Sequence, residues 1–192
     1  MRTLLLLISL VILGSISDLQ AQGRANTRKG FWIGLGLGDG SAGVECDNCG
    51  NDRINSWSGY LRMGGTISSH VLLGAETSGW LHSEGGIDEN VANLAFVTMW
   101  YPSNSGAFYL KFGVGGMAYR ATDGVDDLTA TAPSLTVGTG YEFRMGQNFS
   151  LTPFFNALAS SAVTLKENGT AIPTNGDISI TLAQVGLGVT WH

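Results

Sequence analysis

Eight stretches of alternating large and small residues are joined by seven connections that alternate in length. The stretches fall roughly at 30–38, 56–67, 70–81, 91–101, 107–119, 134–144, 149–159 and 178–191. A period of two bounded by turn residues is the mark of β-strands, and no helical 3.6-residue period competes with it. The long connections are "DGSAGVECDNCGNDRIN", "HSEGGIDEN", "RATDGVDDLTATAP" and "SSAVTLKENGTAIPTNGD"; between them come the short "SS", "PSNSG" and "MGQN". An up-and-down sheet puts every second connection at the same end. One end therefore collects the long loops and the other the tight turns, a segregation for which a soluble up-and-down barrel has no need.

The faces are as informative as the connections. Phe31, Ile33, Leu35 and Leu37 oppose Gly34, Gly36 and Gly38; Leu135, Val137, Tyr141 and Phe143 oppose Ser134, Thr136, Gly138, Gly140, Glu142 and Arg144. Phe108, Leu110, Phe112 and Val114 oppose Lys111, Gly113 and Gly115. The bulky side is apolar and the other side is small or polar, as expected when large groups face lipid and small ones fill a narrow interior. Charged residues are only 13 % of the chain, against about 25 % in an average soluble domain. Pro153 removes a ladder donor within its strand, so a bulge or local irregularity is expected there.

The first 21 residues read as a secretory signal: Arg2, an apolar run from Leu4 to Leu13 and a small-residue exit at Ala21. The run is too short for a bilayer-spanning helix, which takes roughly 20 residues. The chain thus divides into a cleaved signal (1–21), a periplasmic segment (22–29) and one β-barrel domain (30–192).

With the signal, the eight alternating stretches, "FWIGLGLGDGSAG", "WSGYLRMGGTISSHVLLGAETSGW" and the final "GLGVTWH", the chain resembles the bacterial outer membrane protein β-barrel domain family, the OmpA/OmpX-like class. The resemblance implies an eight-stranded antiparallel up-and-down transmembrane barrel with short periplasmic turns and long extracellular loops. It implies location in the bacterial outer membrane, contact with its lipids and lipopolysaccharide, and a last strand read by the barrel-assembly machinery. It implies a monomer without cofactor. The class holds structural and surface-interaction proteins, narrow channels and lipid A-modifying enzymes, so fold does not decide function. The reading adopted is non-enzymatic with a side-chain-filled lumen; a channel for ions or small solutes is the alternative, and a lipid-modifying enzyme a third.

Several constellations could carry chemistry. Arg62 and Glu76 are about equidistant from the "SS" turn on neighbouring strands, with Lys111 at similar depth and Glu142 and Arg144 nearer the periplasmic rim. In a dry lumen such charges have to be paired. Cys46 and Cys49 form a C-x-x-C, open to redox, half-zinc or disulfide readings; an oxidising compartment favours the disulfide. Twelve of the fifteen acidic residues fall in the long loops. Solvation explains them, while Asp123, Asp126 and Asp127 offer oxygen ligands to a divalent cation. A negative net charge of −5 disfavours nucleic acid. His82, Ser83 and Glu84 are the residue types of a hydrolytic triad, but neighbours on a strand point to opposite faces. Trp32, Trp57, Trp80, Trp100, Tyr101, Tyr119 and Trp191, near strand ends, are assigned to an interfacial aromatic girdle.

Overall fold

The structure, a computed structural model, describes residues 28–45, 53–103, 106–161, 164–172 and 178–192. Every regular element among them is a strand: β1 (Phe31–Glu45), β2 (Arg53–Thr66), β3 (Val71–Glu84), β4 (Ile87–Trp100), β5 (Phe108–Thr122), β6 (Asp127–Tyr141), β7 (Phe143–Arg144), β8 (Phe149–Ser160), β9 (Thr164–Glu167), β10 (Thr170–Ile172) and β11 (Ser179–Trp191). Neighbours pair antiparallel in chain order from β1 to β6; β6 pairs β8, β8 pairs β11, and β11 returns to β1. The result is a closed barrel of eight staves. Closure gives each of the eight staves a neighbour on both sides, which an open sheet in hydrocarbon could not do. The seam is long, from Ile33 opposite Trp191 to Glu45 opposite Ser179.

The strands overrun the sequence-based boundaries at the loop end. "HSEGGIDEN" is not a loop: β3 and β4 stay paired up to Glu84 opposite Ile87, and Gly85 and Gly86 alone make the turn. Both have positive φ, +62° and +86°, the backbone that a two-residue type I′ hairpin turn requires. In "RATDGVDDLTATAP", pairing likewise continues to Thr122 opposite Asp127. The glycines of "EGG" end the apolar alternation, which makes the segment look like a loop, but tight turn chemistry lets pairing outrun the apolar face. β9 and β10 form a small hairpin that extends β6.

At Pro153 there is a local irregularity but no bulge. Its strand keeps one register against β11, with Leu187 opposite Pro153, and the same register against both β6 and β7. The interruption falls on the partner instead, where Glu142 separates β6 from β7 and donates its N–H to the carbonyl of Ala107 at 2.9 Å. Proline's missing donor is thus matched by a strand that leaves the ladder beside it.

Side chains alternate as the two faces require. Leu35, Leu37, Leu94, Phe96, Phe112, Val114, Leu135, Val185 and Leu187 point outward and are exposed. Gly34, Gly36, Gly188 and Thr190 point into a packed interior. An apolar belt of this extent on a soluble monomer would far exceed the usual surface patch.

Candidate functional site

The lumen is where the sequence departs most from a plain apolar core, and it is filled in three layers. The central layer is polar. Lys111 on β5 donates to both carboxylate oxygens of Glu76 on β3 at 2.6 Å, and neither side chain has any exposed surface. Ser78 adds a third hydrogen bond to Glu76 at 3.2 Å. Two charges out of water need such geometry, because desolvation otherwise outweighs their attraction. Arg62 stands opposite Glu76 in the β2–β3 register, yet its guanidinium turns away. It donates to the Tyr109 hydroxyl at 3.0 Å and the Thr190 hydroxyl at 3.3 Å. It also lies near the rings of Tyr60 and Tyr109, with centroids at 4.7 and 5.1 Å. Among the described residues no carboxylate is within 4 Å of it. Gln184 and Asn156 complete the layer, Gln184 donating to the Ser58 hydroxyl at 2.5 Å and Asn156 to Gln184 at 3.2 Å.

The glycines of β1 and β11 explain how these long side chains fit. A Cβ on Gly36 or Gly188 would overlap the Tyr60 ring or hydroxyl, and one on Gly140 would meet the Tyr109 hydroxyl. The small residues are therefore the floor on which tyrosines from other strands lie. Tyr60, Tyr109 and Gln184 were missed by the sequence reading, although Tyr60 shares the strand parity of Arg62.

Toward the turn end lies an aromatic layer of Trp32, Leu72, Met99, Tyr101 and Tyr109. Arg28, from the segment before β1, sits 3.4 Å from the Tyr101 ring centroid and donates to Glu142 at 3.4 Å and to the carbonyl of Gly106 at 2.7 Å. Glu142 also accepts from the Tyr101 hydroxyl at 2.7 Å and faces His192 at 3.4 Å. His192 thus closes the turn-end mouth, with its own N–H on the carbonyl of Asn148. Arg144 is half-buried at this rim, opposite Ser150. Toward the loop end an apolar layer of Trp80, Val91, Met117, Leu158, Ile180 and Leu182 caps the polar centre.

Of the sequence-assigned charges, Glu76 and Lys111 meet in one pair and Glu142 belongs to another cluster with Arg28; Arg62 joins tyrosines. The girdle needs correction. Trp57, Trp100 and Trp191 do face outward, but Trp32, Trp80 and Tyr101 are buried in the lumen and Tyr119 packs against its upper layer. Trp32 shares the parity of Gly34 and Gly36, and that parity outweighs nearness to a strand end. The outward aromatics at the turn end instead include Phe31, Phe108, Tyr141, Phe143 and Phe149.

The loop carboxylates do not converge. Asp123 accepts from the backbone N–H groups of Val125 and Asp126 at 3.0 and 2.8 Å; these bonds hold its carboxyl below the usual carboxylate range. Asp126 accepts from Asn168 at 3.1 Å, and Asp127 is bound by Arg120 through two hydrogen bonds. Among the described residues no three His, Cys, Asp or Glu side chains are grouped to hold a metal ion. Cys46 and Cys49 lie outside the described residues.

Solved structures place this geometry. Neisserial surface protein A superposes with a TM-score of 0.60 at 14 % identity, covering 84 % of this chain and 96 % of that one. The fold is that of the small outer-membrane β-barrels. Ail, the attachment invasion locus protein of Yersinia pestis, gives 0.52 at 12 % identity over 85 % of this chain and 99 % of its own. The outer membrane protein OprG of Pseudomonas aeruginosa gives 0.51 at 13 %, over 89 % and 99 %. No family model and no curated protein sequence matches the chain. At such identities the outer-membrane barrel fold is shared and side-chain roles are not carried across.

Proposed function

We infer that the protein is an integral protein of the bacterial outer membrane, non-enzymatic, with a closed lumen and a structural or surface-interaction role. The observation that carries this is the lumen itself: a desolvated ion pair at mid-height, with an apolar layer above it and an aromatic one below. A solute path would need that centre wet. The tight turns then face the periplasm and the long connections the outside. Outer-membrane lipids and lipopolysaccharide are the surrounding partners, the barrel-assembly machinery acts on the last strand, and the folded chain is a monomer. Planar-bilayer recording of the refolded protein tests the reading. No stable single-channel steps are expected; their appearance, altered by Glu76→Gln, would establish a channel instead. Lipid A from cells with and without the protein is expected to give the same acyl pattern by mass spectrometry, and a changed pattern would restore the enzyme reading.

A further inference from the structure

Above the apolar layer, at the loop end, the barrel holds a cavity of about 120 Å³ walled by Val44, Ile54, Trp80, Val91, Tyr119 and Ile180, and Glu89 is its one charged wall residue. Glu89 is half-buried, and the Tyr119 hydroxyl donates to its Oε1. No Lys, Arg or His nitrogen among the described residues lies within 4 Å of this carboxylate. His82, its partner across β3 and β4, is stacked on Trp80 and turned to Glu84 at 3.4 Å. Among the described residues the Tyr119 hydroxyl is thus the one side-chain partner of this carboxylate, which leaves its charge open to a cation from solution.

We propose that this vestibule binds a small organic ammonium ion, its nitrogen on Glu89 and its alkyl part against the partly exposed Val44, Ile54 and the Tyr119 ring. The wall chemistry selects this class. A hard metal ion such as calcium takes six to eight oxygen ligands, and the cavity offers one carboxylate and one phenol. An alkylammonium needs a single charge-assisted hydrogen bond, apolar contact and an aromatic face, all of which are present. The acidic residues around the mouth, Glu84 and Asp88 among them, would raise the local concentration of any cation.

The test uses the full mature chain refolded in detergent micelles, titrated with n-butylammonium chloride, with sodium chloride and n-butanol as controls. The readout is the Trp80 indole N–H resonance, identified by its loss in Trp80→Phe. A saturable shift with butylammonium alone is expected, and at least a tenfold loss of affinity in Glu89→Gln, with gel mobility showing that the variant is folded. Tyr119→Phe keeps the carboxylate and is expected to bind within a few-fold of the parent. Equal response to sodium chloride, equal response to butanol, or unchanged affinity in folded Glu89→Gln would each overturn the proposal. Should Glu89→Gln fail to fold, the three titrants on the parent still decide: only a butylammonium-specific, saturable shift upholds it.

Discussion

The Lys111–Glu76 pair shows what a single residue can cost in this lumen. Glu76→Gln leaves a buried ammonium without its counter-charge, and removing one partner of such a pair destabilises by about 3–5 kcal/mol. Replacing both, Glu76→Leu with Lys111→Met, is expected to restore most of that loss. Urea unfolding in lipid vesicles checks it; equal losses in the single and double variants would show that the pair carries no coupling. Gly188 makes the complementary case. An added methyl meets both the Tyr60 hydroxyl and the Leu35 carbonyl oxygen, so Gly188→Ala is expected to cost about 1–3 kcal/mol, of which Tyr60→Phe relieves only part. At the exposed turn, the lowered carboxyl of Asp123 orders 123–126 through its two backbone bonds. Because the folded form binds the proton less readily, that contribution is complete above the unfolded value of about 3.9 and is lost as pH falls through the depressed one. Carboxyl NMR titration of Asp123 is expected to show a low midpoint, and Asp123→Asn to remove the acid-side disordering of the turn.

At the scale of strands, parity decides which side chains meet lipid. In variants keeping one tryptophan each, brominated lipid is expected to quench Trp57, Trp100 and Trp191 and to spare Trp32 and Trp80; quenching of Trp32 would reverse the facing of β1. The alternation "FWIGLGLG" carries this facing, so the lumen position of Trp32 is legible in the sequence, where strand parity and not nearness to a strand end decides it. Strand number, the β1–β11 seam and the Arg62–Glu76 register were legible for the same reason, since each follows from alternation and turn spacing. The partner of Glu76 was not. Lys111 is two strands away and reaches across the interior, and such a contact depends on the stagger with which the sheet closes, which no local pattern encodes. The Gly85–Gly86 turn was hidden differently, because its strands continue with polar residues on both faces.

Taken as a whole, the molecule is layered along its axis and uneven at its two rims. Its outward aromatics crowd the turn end, with Phe31, Trp100, Phe108, Tyr141, Phe143, Phe149 and Trp191 all exposed there, while among the described residues Trp57 is the one exposed aromatic near the loop end. Aromatic girdles flank the apolar belt of a membrane barrel at the level of the headgroups, with Trp and Tyr as their amphipathic members. A barrel fitted with most of them at one rim is moored mainly in one leaflet. Thickening or thinning of the bilayer would then be taken up at the opposite rim, where paired strands continue past the apolar belt and can sit in lipid or in water. The height at which the loops stand above the membrane becomes a property of the bilayer as much as of the protein.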